Sequence, residues 1–194
     1  MDRQTPFSGC RREENRLFVA LETPNEIRES LCGLRFRFPG LKWTPPGQLH
    51  LTLRFIGPVS PEKMGAVQHA LSGVRHASFH LTVAGLGLFS RKTGGILWAG
   101  VNDEPALREL KRRVDEAIHD ATGSSLEEAS FSPHFTLSRL KGASPPTLKI
   151  QAREASEEMF GEMRASAFTL FRSHLRPSGA IHEAVERYSF TPEK

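Results

Sequence analysis

Apolar positions divide the chain into short strands and amphipathic helices. Leu17-Phe18-Val19-Ala20-Leu21 is an unbroken apolar run of buried-strand length. Thr23-Pro24-Asn25-Glu26 then predicts a helix start, with threonine as the cap, proline at the first position and glutamate closing a capping box. Ile27, Leu31 and Leu34 follow at helical spacing. After the breaks at Pro39-Gly40 and Pro45-Pro46-Gly47, residues 49–56 read as a strand ended by Gly57-Pro58. Ser60-Pro61 opens a second helix carrying Met64, Val67, Leu71 and Val74 on one stripe. Residues 79–83 alternate as a strand that turns at Ala84-Gly85-Leu86-Gly87, and residues 96–101 form another. Asp103 is placed to cap a third helix with Leu107, Leu110, Val114 and Ile118 buried and Gly123 past its end. A strand over 134–140, a weaker helix from Pro146 to Met159, a strand over 167–171 and an edge strand over 183–190 complete the order. Mixed short strands and helices make this an α+β fold. No glycine-rich loop follows a strand, so neither a Rossmann nor a P-loop reading has support.

Two of the strands carry nearly the same string. His50-Leu51-Thr52-Leu53 recurs as His134-Phe135-Thr136-Leu137, 84 positions later. On a strand, alternate side chains share a face, so each histidine lies with its threonine while the apolar pair anchors the other side. The repetition predicts a pseudo-duplicated fold, one motif strand in each half and a cleft between the halves. Two imidazoles and two hydroxyls around one space suit acid–base attack on a phosphodiester. A third match, His80-Leu81-Thr82-Val83, is accounted for by strand alternation alone, because the chain turns soon after it. The flanks Arg54-Phe55-Ile56 and Ser138-Arg139-Leu140 resemble each other, which favours the first and last strings as the pair. Phe55 and Arg139 each stand five residues after their histidine. Five is odd, so strict alternation turns Phe55 away from His50, and a bulge or strand end near Gly57 is required to bring it back.

Composition narrows the classes. The 194 residues are 38% apolar and 25% charged, with a net charge of +4. That describes a soluble globular chain, mildly suited to an anionic ligand. No apolar run approaches a membrane span, and the polar start lacks a signal core, which places the expected protein in the cytoplasm. Residues 1–15 read as a flexible extension, and residues 16–194 as one two-lobed domain. The two cysteines, Cys10 and Cys32, make no disulfide framework, and Cys32 sits beside a helix stripe as a packing residue. There is no HExxH, no paired-cysteine spacing and no acidic residue beside either motif, so no metal site is expected. His69 and His119 fall on polar helix faces, and Trp43 and Trp98 read as packing residues. Arg35, Arg37, Lys42 and Arg54 cluster along the sequence around the first motif, as a phosphate-attracting or merely solvated surface.

From about Arg16 to Phe190 the chain resembles the RNA 2′,3′-cyclic phosphodiesterases, the 2′-5′ RNA ligase family of the 2H phosphoesterases. The resemblance rests on Leu17-Phe18-Val19-Ala20, on Trp43-Thr44-Pro45-Pro46 leading into the first motif strand through Gly57, on Leu97-Trp98-Ala99-Gly100-Val101, and on Pro133 with the second motif strand through Leu140. It implies a two-lobed fold with antiparallel sheets lining a central groove. It also implies hydrolysis of an RNA-terminal 2′,3′-cyclic phosphate to a 2′-phosphate without metal or nucleotide cofactor; the expected protein is a monomer acting on RNA or nucleotide ends. Carried over by position, His50 is the proton donor to the departing 3′ oxygen and His134 the base that activates water. Thr52 and Thr136 hold phosphate oxygens, and Phe55 and Arg139 sandwich the terminal base. The chain departs from the family pattern at Phe160-Gly161-Glu162-Met163, and at Ala180 and His182, where proline and tyrosine are expected. Two other readings accompany this one: action on 2′-5′ linked oligonucleotides or ADP-ribose cyclic phosphate, and a nucleotide- or RNA-binding module without turnover.

Overall fold

A computed structural model describes residues 15–91, 93–126, 131–176 and 179–192. The expected extension, apart from its last residue, and Cys10 lie outside the described residues. Among the described residues eight strands and four α-helices follow one another: β1 (Asn15–Glu22), α1 (Asn25–Gly33), β2 (His50–Val59), α2 (Pro61–Ser72), β3 (Phe79–Arg91), β4 (Gly94–Val101), α3 (Pro105–Thr122), β5 (His134–Lys141), α4 (Pro146–Glu154), β6 (Met159–Ala165), β7 (Ala167–Arg176) and β8 (Gly179–Ser189).

The strands pair in the order β6-β3-β4-β5-β2-β1-β7-β8, and every named strand pair is antiparallel. The β2–β5 junction is held by one register pair, Leu51 with Phe135. Two four-stranded sheets therefore meet along a thin seam, and the two motif strands are the strands that meet. One face is closed by helices: α1 packs on β6, α4 on β3, α3 on β2, and α2 on α3 and β8. Leu51, Leu53, Phe135 and Leu137 are buried on that side with the helix stripes Val67, Leu71, Leu107, Leu110, Val114 and Ile118. Burying such side chains contributes about 1.5–3 kcal/mol each, which is why the apolar half of each motif fixes the strands. The opposite face, which none of the four described helices covers, is the groove.

Several elements differ from the sequence expectation, each for a local reason. Thr23 does not cap α1; its hydroxyl is buried and donates to the Leu49 carbonyl at 2.6 Å, and Pro24 stands at the cap. Glu104 rather than Asp103 caps α3, accepting from the Ala106 amide at 3.2 Å, while Asp103 pairs with Arg108. β2 continues through Gly57-Pro58 to Val59. β3 does not turn at 84–87: Gly85, at φ +78°, forms a bulge and the strand runs on to Arg91. The α4 helix stops at Glu154, and residues 159–165 form β6 instead. Gly161, at φ +132°, breaks the alternation between buried Phe160 and Met163, which conceals the strand in sequence. One glycine is required by its neighbour. A Cβ on Gly87 would lie 2.0 Å from the Trp98 ring, so the indole lies directly on the β3 backbone. Trp43 packs near Phe38, Cys32 lies against the core, and His69, His80 and His119 are exposed, as expected.

Candidate active site

Each motif strand carries a bulge at the same place. In β2, Ala20 pairs Thr52 and Val19 pairs Arg54, leaving Leu53 as the extra residue. In β5, Trp98 pairs Thr136 and Leu97 pairs Ser138, leaving Leu137 as the extra residue. A bulge inserts one residue and so inverts the facing of everything after it. Leu53 and Arg54 both turn toward the helices, as do Leu137 and Ser138, and all four are buried. Phe55 and Arg139 thereby return to the face of His50 and His134 and are exposed there. The bulge that Phe55 needs thus lies at Leu53, ahead of Gly57, and Arg139 uses the same device.

The two inward polar residues are satisfied differently. Arg54 lies 3.7 Å from Asp115 on α3 and donates to the Ser125 carbonyl at 2.7 Å. Ser138 donates to the Lys42 carbonyl at 2.9 Å. The basic cluster expected around the first motif is therefore dispersed: Arg54 is internal at 5% exposure, Arg37 pairs with Glu158, and Arg35 lies over Phe36.

Both motif histidines are fixed in the same way. His50 Nδ1 lies 2.8 Å from the Gln48 carbonyl, and His134 Nδ1 lies 2.8 Å from the Ser132 carbonyl. A carbonyl only accepts, so in each ring Nδ1 carries the proton and a neutral imidazole leaves Nε2 bare. Thr52 and Thr136 are half-buried beside them, and among the described residues neither hydroxyl bonds a protein group. Two acceptor nitrogens and two hydroxyls thus face the same side of the adjacent strands β2 and β5. The charges of His134 and Arg139 both act on His50, so the second half reaches the first across the seam.

The walls contain residues that the motifs do not announce. Phe18 on β1 lies at the centre of an aromatic group, with ring centroids 4.9 Å from His50, 6.0 Å from Phe55, 5.1 Å from Phe171 and 4.8 Å from His182. On the other side, Phe89 and Trp98 lie 5.2 and 6.2 Å from His134. Burial under its aromatic wall pushes His50 down to a pKa of about 4, against the raising effect of the Gln48 carbonyl; His182, Arg139 and His134 lower it further. Glu22 is opposite His50 in the strand register, an acidic neighbour that the local sequence does not show. Its carboxylate accepts from Thr169 at 2.6 Å and stands 3.9 Å from Arg187. Alternation along β1 and β7 would have identified Phe18 and Phe171 as groove residues once the strand pairing was known; nothing local identifies His182.

Among the described residues no three histidine, cysteine, aspartate or glutamate side chains converge on a metal site, and no helix is long and apolar enough to cross a membrane.

Known proteins resemble this chain in sequence and in fold. The family model described as LigT like Phosphoesterase matches residues 21–98 and 100–182. An RNA 2′,3′-cyclic phosphodiesterase of Archaeoglobus fulgidus is 33% identical over 172 residues, covering 87% of this chain and 96% of its own. The apo crystal structure of E. coli LigT superposes with a TM-score of 0.76 at 28% identity, covering 92% of this chain and 99% of LigT. The complex of the same protein with 3′-AMP gives 0.74 at 27% identity over the same shares of both chains. With the model match spanning both motif strands, the chain belongs to the LigT-like phosphoesterase family.

Proposed function

We propose that this protein hydrolyses the 2′,3′-cyclic phosphate at an RNA end to a 2′-phosphomonoester, using two histidines and no metal. The observation that carries the reading is the matched pair of imidazoles, each fixed through Nδ1 by the carbonyl two residues earlier and each leaving Nε2 for the groove. The activity for which the Archaeoglobus relative is named and the 3′-AMP held by E. coli LigT support the substrate class. In this reading His134 takes a proton from water as its oxygen attacks phosphorus. His50 gives a proton to the 3′ oxygen as the P–O3′ bond breaks, and the phosphate stays on the 2′ oxygen. Thr52 and Thr136 donate to the non-bridging oxygens, where negative charge grows in the transition state. Phe55 and Arg139 stack on the terminal base, a role open to a phenyl face and to a guanidinium plane. The proposal includes a cytoplasmic monomer in which residues 16–194 act as one two-lobed domain.

The donor role requires a protonated His50, whereas burial holds the ring neutral above pH 4 in the free protein. A phosphate anion in the groove opposes that burial and raises the pKa, so the donor is charged as substrate arrives. The same low value favours a second reading, with His50 as base and His134 as donor. A pH profile cannot separate the two, because a reverse-protonated pair gives the same bell. The leaving group can. A substrate whose bridging 3′ oxygen is replaced by sulfur departs without a donor. On that substrate, in chelator, His50→Ala recovers most of its lost rate if His50 is the donor, while His134→Ala stays slow. Recovery by His134→Ala instead reverses the assignment. Loss of all wild-type turnover in chelator, or no turnover of any cyclic phosphate, overturns the reaction itself.

A further inference from the structure

β7 and β8 form a long hairpin at the edge of the first sheet, and it brings one more imidazole to the groove. His182 pairs Ser173, one step along from the pair Phe171 with Ala184, and on the same face. Its ring lies 4.8 Å from Phe18 and 5.2 Å from His50, the latter at 88°. Among the described residues the second half has no equivalent. β6, the corresponding outer strand, pairs only residues 79–84 of β3 and stops short of Phe89.

The hydrogen bonding of His182 is the reverse of that of the other two. Its Nδ1 is buried without a hydrogen-bond partner among the described residues. A histidinium has two N–H donors to satisfy, and His182 has no acceptor for the one at Nδ1. The species that fits carries its single proton on Nε2, the nitrogen that remains open. The surroundings agree. Among the described residues, Arg139 from β5 and His50 from β2 are the charged or titratable groups facing the ring, Phe18 from β1 is apolar, and β7 contributes Ser173. The ion pair of His174 with Glu183 lies on the opposite face by alternation. Burial and the Arg139 charge both lower the His182 pKa, in the direction the geometry requires.

We propose that His182 is a third substrate-contacting residue, a neutral imidazole that donates Nε2–H to a phosphate oxygen next to the oxygen served by His50. Two nitrogens that bond different oxygens of one phosphate stand about 4–7 Å apart, and the ring separation of 5.2 Å suits that. A neutral donor offers an N–H to growing charge without competing for the proton that His50 must carry. The inference rests on the phosphate-ester reading above, and the experiment separates the two.

Three measurements test it. His182→Phe keeps a ring against Phe18 but removes the N–H, and His182→Gln keeps a neutral N–H donor. Affinity for adenosine 2′-monophosphate by calorimetry should fall about tenfold or more in His182→Phe and stay within about threefold in His182→Gln, with the thermal midpoint of both retained. kcat/KM for adenosine 2′,3′-cyclic phosphate should follow the same order. Long-range ¹⁵N correlation spectra at neutral pH should report Nε2–H for His182 and Nδ1–H for His50 and His134. Unchanged affinity and turnover in His182→Phe overturn the proposal, as does an equal loss in both variants or an Nδ1–H signal from His182. Weakened nucleotide binding in His182→Phe, with no cyclic phosphate turned over by the wild-type protein, leaves this inference standing and removes the proposed reaction. A wild-type protein that binds no 2′-monophosphate removes both.

Discussion

The two halves of the groove share a register and differ in what fills it. Glu22 pairs His50 where Gly100 pairs His134, Ala20 pairs Thr52 where Trp98 pairs Thr136, and Phe18 pairs Phe55 where Ile96 pairs Arg139. One strand further out, Phe171 pairs Phe18 as Phe89 pairs Ile96, and Thr169 pairs Ala20 as Gly87 pairs Trp98. Backbone geometry is thus duplicated while the large side chains alternate: an indole over a glycine on one side, a threonine beside an alanine on the other. The first half adds a fourth strand alongside its site and encloses His50 with Phe18, Phe171 and His182. In the second, the described rings beside His134 are Phe89 and Trp98. A common frame can therefore hold two chemically identical rings in unlike surroundings, which is what a donor and an acceptor need.

The largest way to break the comparison is to remove either ring. His50→Ala and His134→Ala should each lower kcat/KM for a nucleoside 2′,3′-cyclic phosphate by a factor on the order of 10²–10⁴. The two losses should not multiply in the double variant, since the pair acts as one unit. Single variants that retain wild-type rates would remove the pair from the chemistry.

The bulges allow the same comparison on the helix side. Arg54 and Ser138 hold equivalent inward positions, one as a buried cation against Asp115 and one as a hydroxyl on the Lys42 carbonyl. Removing one member of a buried ion pair costs about 3 kcal/mol, and removing a single neutral hydrogen bond about 1 kcal/mol. Urea unfolding should therefore find Arg54→Ala markedly less stable than Ser138→Ala. Equal losses would mean that Lys111, which also bonds Asp115, carries the charge balance without Arg54.

Acid should act on the first half through His50. Its folded pKa of about 4 lies below the unfolded value near 6.5, so the unfolded chain binds the proton first as pH falls. Stability from this group is complete above pH 6.5, declines between 6.5 and 4, and is level below, a total of about 3 kcal/mol. In His50→Gln the decline across that window should shrink by about this amount in urea midpoints measured at each pH. An unchanged slope would show that the burial of His50 does not hold in solution.

The sequence made the site legible where chemistry repeats and hid it where geometry intervenes. His50, Thr52, His134 and Thr136 stand out as candidates by their spacing, and Leu51, Leu53, Phe135 and Leu137 as core by their apolar character, because strand alternation is local. Phe55 is not found that way: strict alternation points it into the core, and only pairing with β1 exposes the extra residue at Leu53. His182 is more distant still, since its neighbours Phe18 and His50 are brought to it by strand order alone. Gly161 conceals the strand over 159–165, and the sequence ends β3 where Gly85 and Gly87 in fact make a bulge and a seat for Trp98. Glycine reads as a breaker in isolation and as a packing requirement once its neighbour is known.

The smallest expected effects lie at the rim, where Phe55 at 62% exposure and the exposed Arg139 occupy equivalent positions. Stacking one base on a side chain contributes about 1–3 kcal/mol, so Phe55→Ala should raise KM for a cyclic-phosphate-ended oligonucleotide about tenfold with kcat little changed. Arg139→Ala should raise KM comparably and do one thing more. The Arg139 charge helps to lower His50, so its removal should move the acidic limb of the kcat/KM profile upward from about pH 4, whereas Phe55→Ala should leave that limb in place. Equal profiles in the two variants would reduce Arg139 to a second stacking surface. A displaced limb in Arg139→Ala alone would mean that the second half tunes the ring of the first, across a seam joined by the one register pair between Leu51 and Phe135.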